Sequence, residues 1–106
     1  MVEVKFTEQS IADLNDIAGY ISRDSFYYSR MLIQKLISRT DILDHFPKIG
    51  RVVPELKTSS IRELIEGNYR IIYRIVNKEL IHILTFYHSR RKLQRAIIRK
   101  LIKKDR

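Results

Sequence analysis

The sequence predicts an α+β fold in the order β-α-α-β-β-β: an antiparallel β-sheet packed on an N-terminal helical hairpin, with a basic helix at the C-terminus. Three observations predict it. Residues 61–88, IRELIEGNYRIIYRIVNKELIHILTFYH, hold three runs of β-branched and aromatic residues separated by Glu66-Gly67-Asn68 and Asn77-Lys78, the pattern of an antiparallel meander. Residues 8–46 carry apolar side chains at helical spacing in two blocks. Residues 89–106 hold nine basic side chains against the single acid Asp105, whereas residues 1–88 hold 12 basic and 11 acidic ones. The tail therefore supplies +8 of a net charge of +9.

Each element follows from local chemistry. Val2, Val4 and Phe6 alternate with Glu3 and Lys5, a short strand able to join the sheet, and Thr7 offers a side-chain cap for the first helix. From Glu8 to about Arg23, Ile11, Leu14, Ile17, Ala18 and Ile21 form a core-facing stripe, with Asp13, Asn15 and Asp16 on other sides. Asp24-Ser25 gives a second cap, and Tyr28, Leu32, Ile33, Leu36, Ile37, Leu43 and Phe46 mark a longer helix that Pro47 stops. PKIGRVVPELKTSS, with both prolines and one of the three glycines, reads as a loop with an extended centre. In the middle run of the meander, Tyr69, Ile71, Tyr73 and Ile75 point to one face and Arg70, Ile72, Arg74 and Val76 to the other. A sheet covered by the hairpin on the first face and open on the second is the expectation, because a buried arginine needs a partner to offset its desolvation. By the same alternation His88 shares a face with Leu80, His82, Leu84 and Phe86, and Tyr87 lies on the opposite one. Ser89 is placed to cap the last helix, whose apolar stripe would be Leu93, Ala96, Ile97 and Leu101 beside a basic stripe of Arg91, Arg95, Arg99 and Lys103. That like-charge repeat weakens an isolated helix, so the tail is expected to order only when docked or bound.

Composition narrows the function classes. A chain of 106 residues that is 44% hydrophobic suits one domain over 1–106, with 89–106 as its basic helical extension. No apolar run approaches the roughly 20 residues that span a bilayer, and MVEVKFTEQS lacks the order of a signal peptide, so a cytoplasmic protein without a membrane partner is expected. Without cysteines, and with His45, His82 and His88 on separate segments, neither a metal site nor a cofactor is expected. The basic tail suits a polyanion or an acidic protein.

Taken together, the strand, the helix pair, the PxxGRVVPEL loop, IREL, NYRIIYRI and ILTFYHSRR resemble, in that order, the RelE/ParE superfamily of toxins from bacterial type II toxin-antitoxin pairs. The resemblance covers nearly the whole chain. It implies a small toxin, silenced in a hetero-oligomer by a cognate antitoxin that wraps its surface. Of the two mechanisms in the superfamily, the HSRRKL continuation is more similar to the ParE type, which inhibits DNA gyrase. The RelE and YoeB type cuts messenger RNA on the ribosome. A nucleic-acid-binding module without toxicity is a third reading, favoured by the tail charge.

Metal-free RNA cleavage needs a base, cations for the pentavalent phosphate and an acid for the leaving oxygen. The resemblance implies such a set: Arg70 at the scissile phosphate, His88 as acid or base, and Glu55 in the loop as an ionised base. Their ordinary alternatives are a solvated strand residue, a strand cap, and an ion pair to Lys57 or Arg62. Arg74, Arg62, Arg90, Arg91, Lys92, Arg95 and Arg99 are the candidate contacts to nucleic acid or to another target, although Arg62 and Glu63 also suit pairing across the sheet. His82 is read as a partly buried strand residue without a role. Arg70→Ala, on an open face, is expected to leave the fold intact.

Overall fold

The computed structural model describes residues 1–105. Strand β1 (Glu3–Phe6) leads into α1 (Glu8–Ser22) and α2 (Phe26–Arg39), followed by a 3-10 turn at Thr40–Asp44. Strands β2 (Arg51–Val52), β3 (Ile61–Glu66), β4 (Tyr69–Asn77) and β5 (Leu80–His88) precede α3 (Arg95–Asp105). The five strands lie in the order β1-β5-β4-β3-β2. All neighbours are antiparallel except β1, which runs parallel to β5 because the helical hairpin carries the chain back over the sheet.

Capping side chains set the helix starts. The Thr7 hydroxyl accepts from the Ser10 amide at 3.2 Å and donates to the Ile83 carbonyl at 2.7 Å, so one side chain both caps α1 and ties it to β5. Ser25 caps α2 through the Tyr28 amide, and the Ser29 hydroxyl donates to the Ala18 carbonyl at 2.9 Å between the two helices. The second helix is shorter than its periodicity predicts. Thr40 turns its hydroxyl back onto the Ile37 carbonyl, and the chain tightens into the 3-10 turn before Pro47 is reached. Leu36 and Leu43 are buried, whereas Tyr28 and Phe46, assigned to the same stripe from sequence, are 58% and 60% exposed.

The β3–β4 hairpin turns on Gly67 at φ +56°, the first residue of a two-residue loop that requires this sign. Gly50 is fixed by space instead: a Cβ there would lie 2.6 Å from both the Glu63 carbonyl oxygen and the Tyr73 hydroxyl. That hydroxyl accepts from the Gly50 amide at 3.0 Å and donates to the Pro47 carbonyl at 2.7 Å, which pins the loop against β4.

Neither face of the sheet is open. Leu14, Leu36, Leu43, Leu64, Tyr69, Ile71, Tyr73, Ile81, Ile83 and Phe86 form the core under the hairpin. On the other face Val53, Ile61, Ile72, Leu84, Tyr87, Leu93 and Ile98 form a second core, closed by the loop after β2 and by α3. Two local events separate this arrangement from the one the sequence predicts. First, β5 pairs Thr85 with Ile72 but Ile83 with Tyr73, so Leu84 is an extra residue in a bulge. The bulge reverses the alternation: Phe86 joins the hairpin core while Leu84 and Tyr87 join the second. Second, α3 begins five residues later than a Ser89 cap would place it. The Ser89 and Arg90 amides are already taken by the Asn68 carbonyl and His88 Nδ1, and the Ile97 and Ile98 amides bond the Gln94 carbonyl instead. The buried stripe is accordingly Ile98 with Ile102, and Ile97 faces solvent.

Candidate functional site

The most concentrated polar chemistry lies between β2, β3, β4 and the loop after β2. Arg70 points to the second face, where it is 8% exposed. Its Nε and Nη2 meet Glu63 Oε1 at 2.6 Å, and its two terminal nitrogens grip both Glu55 oxygens at 2.8 Å. Glu63, itself fully buried, takes Arg51 Nε on its other oxygen at 2.5 Å. The cluster contains two guanidinium groups and two carboxylates and is close to neutral. Its geometry is the bidentate kind that makes such pairs strong. The Arg70 guanidinium holds the Glu55 carboxyl below its ordinary pKa, against the opposing effect of partial burial. Glu55 in turn raises the Arg70 pKa further, so Arg70 remains a cation.

This corrects two expectations. Arg70 is not a solvated residue on an open face, and Arg70→Ala would leave Glu63 and Glu55 without their shared cation, so it is not neutral for the fold. The sequence also missed Arg51. Its adjacency to Glu63 depends on the two-residue strand β2, too short for a periodic signal.

The three residues expected to act together are divided by the sheet. Glu55 and Arg70 are joined, whereas His88 stands opposite Tyr69 on β4 and lines a groove with Ile17 and Tyr20 of α1. Its ring meets the Tyr69 ring edge-on at 5.1 Å, and its Nδ1 accepts from the Arg90 amide at 3.1 Å. The Leu84 bulge is the cause.

The remaining candidates tie the molecule together or stand in solvent. Arg62 donates to the Ser59, Lys48 and Gly50 carbonyls and clamps both ends of the loop. Arg74 meets Asp105 at 2.7 Å, and His82 Nδ1 meets the same carboxylate at 2.8 Å, so the acid near the end of α3 anchors that helix to β4 and β5. His82 therefore has the structural role that its sequence context did not suggest. Arg95 Nε donates to the Glu55 carbonyl at 2.7 Å, and the Arg91 guanidinium lies 5.1 Å over the Tyr87 ring, whose hydroxyl donates to the Lys92 carbonyl. Arg90, Lys92 and Arg99 are exposed.

Asp13, read as an outward residue of α1, accepts from the Thr85 hydroxyl and from the Phe86 amide at the bulge. A concavity of about 730 Å³ lies at the Asn77 end of β4 and is lined by Phe46, Ile49 and Ile75 together with Lys48 and Lys78. Its apolar lining suits a protein contact rather than chemistry. Among the described residues no group of three or more His, Cys, Asp or Glu is placed to hold a metal ion, and no helix is long and apolar enough to cross a membrane.

Comparison with known proteins assigns this arrangement. The sequence profile of the ParE toxin of the type II toxin-antitoxin system, parDE, matches residues 4–93. The chain belongs to the ParE toxin family. This ParE-family chain is 31% identical over 91 residues to Toxin RelE2 of Caulobacter vibrioides, covering 86% of the chain and 99% of the relative. Its fold is that of a chain from the chromosomal ParDE toxin-antitoxin system of P. aeruginosa, at a TM-score of 0.69 and 21% identity over 83% of this chain and 96% of that one. It is also similar to a chain of the YoeB dimer from Staphylococcus aureus, at a TM-score of 0.53 and 14% identity over 82% and 95% of the two chains. The ParE profile ends at residue 93, just before α3.

Proposed function

We propose that this ParE-family toxin acts by binding and inhibiting a protein target, DNA gyrase, and that it does not cleave RNA. The observation that supports this reading is the state of Arg70. Both terminal nitrogens and Nε are engaged by Glu55 and Glu63, so a scissile phosphate would have to displace a bidentate carboxylate before receiving charge. Glu55 is an equally poor base, because the same ion pair depresses its proton affinity. His88, on the far side of the sheet, is not placed to donate to a leaving group beside Arg70.

A cognate antitoxin completes the proposal as a hetero-oligomeric partner. The toxin offers it apolar surface in two places: Tyr20, Phe26, Tyr27, Tyr28 and Met31 stand half or more exposed at the tip of the helical hairpin, and Phe46 and Ile49 do so at the Asn77 end of β4. Clustered aromatic exposure of this kind is characteristic of protein interfaces.

The experiment runs two assays on the same folded toxin. In a supercoiling assay with purified gyrase, the toxin is expected to leave plasmid relaxed, and antitoxin is expected to restore supercoiling. In a translating extract, primer extension is expected to find messenger RNA intact. Ribosome-dependent cuts within codons, with gyrase unaffected, would replace this reading by the nuclease one.

A further inference from the structure

Helix α3 lies beyond the residues the ParE profile matches, and its packing separates its charges by sign. Asp105, the sole acidic residue after Glu79 in the sequence, is turned inward to Arg74 and His82. Arg95, Arg99, Lys100, Lys103 and Lys104 are left exposed. Between α3 and the loop at 56–60 runs a groove of about 600 Å³. Arg74, Arg99 and Lys103 line it together with the hydroxyl residues Thr58 and Ser60, and among the described residues no carboxylate lines it. Arg74 engages Asp105 through Nε and Nη2, which leaves Nη1.

The loop wall is built at some cost. The Leu56 and Lys57 amides both bond the Val53 carbonyl, and Lys57 is held at φ +56°, a left-handed conformation that a lysine seldom adopts. That turn carries the chain into Thr58 and Ser60. Strain of this kind persists where the surrounding structure fixes it, often beside a binding site.

We infer that this groove binds the phosphate groups of a nucleic-acid backbone. Arg99 and Lys103 supply the charge, Arg74 the deep cation, and Ser60 a neutral donor; phosphates are bound by this combination of arginine, lysine and hydroxyl groups without any reading of bases. An acidic protein is the weaker fit, because interface cores are depleted of lysine and enriched in aromatic anchors. This groove has no aromatic side chain, and the exposed aromatic cluster lies on the hairpin tip. The inference is independent of the toxin's protein target.

The test titrates the full chain into a fluorescein-labelled duplex DNA of random sequence at a series of salt concentrations and follows anisotropy. Log affinity is expected to fall linearly with log salt, and Arg99→Gln/Lys103→Gln to flatten that slope by about 2, at ~0.9 per lost phosphate contact, with an unchanged melting temperature. Lys35→Gln on α2 is the control and should leave the slope as it was. Ser60→Ala should weaken binding by about tenfold or more, the effect of one hydrogen bond to a charged phosphate. A slope unaltered in the double variant overturns the inference. So does binding of inorganic phosphate without binding of duplex, which would mark an isolated anion site. Displacement of the duplex by polyglutamate as readily as by inorganic polyphosphate would reassign the groove to an acidic protein.

Discussion

The two faces of the sheet are both buried, but by different physics. Under the helical hairpin, Ile71, Tyr73, Ile81, Ile83 and Phe86 meet Leu36 and Leu43 in a layer in which the buried Tyr73 hydroxyl has two partners. Under α3, a smaller apolar set is flanked by two ion clusters: Arg51, Glu63, Arg70 and Glu55 beside the loop, and Arg74, Asp105 and His82 beneath the helix. The hairpin layer is held by volume. The α3 layer is held by paired charges that also specify which loop and which helix may cover it. Area burial tolerates exchange of one aliphatic residue for another, whereas a cluster that loses a single member leaves a buried charge.

Substitutions can break this contrast or sharpen it. The largest effect is expected from Glu63→Ala, which leaves the buried Arg70 guanidinium with Glu55 as its one carboxylate partner: about 3 kcal/mol, read as a collapse of the denaturant midpoint. A loss no greater than that of an exposed glutamate would mean that the cluster does not hold the second face. Next is Tyr73→Phe, which keeps the hairpin layer's volume and removes only the Tyr73 hydroxyl. It should cost about 1–3 kcal/mol, because the Gly50 amide loses its acceptor. Asp105→Ala should act locally. Hydrogen exchange in 95–105 is expected to accelerate by about tenfold or more while β4 and β5 remain protected, and uniform acceleration would show that α3 is integral to the whole fold.

The smallest effect is expected from Glu55→Gln and concerns pH. Because the folded pKa of Glu55 is depressed, its contribution is complete above the ordinary carboxylate pKa and is lost as pH falls through the lowered value. The wild-type melting temperature should therefore decline on the acid side more steeply than that of Glu55→Gln. Parallel curves would mean that Arg70 is held by Glu63 alone.

Much of this architecture was legible in the sequence because it is written locally. Thr7 and Ser25 cap as their positions suggest, Gly67 turns the first hairpin, and alternation in β4 assigns Tyr69, Ile71 and Tyr73 to the hairpin core. What was not legible depends on partners distant in the chain. The neutralisation of Arg70 rests on Glu63 seven residues away and on a loop glutamate fifteen away, and Glu63 reads in isolation as an edge residue. The closed second face depends on Asp105, thirty-one residues beyond Arg74, within a tail whose other charges all argue for solvent. The Leu84 bulge has no marker such as glycine or proline, so strict alternation placed His88 on the wrong side.

The bulge also bears on how the strand can drift in length over evolution. With Leu84 the two halves of β5 are out of phase, and each half takes its facing from its own partners, Ile75 to Tyr73 on one side and Ile72 to Tyr69 on the other. A relative that lacks the extra residue can keep both layers intact, since losing it straightens the strand without moving either end across the sheet. A gap in an alignment of this strand therefore belongs at Leu84, within the ladder, and not in the turn at Lys78 and Glu79. Placed in the turn, it would exchange the layers assigned to every residue from Leu80 to Ile83, His82 among them.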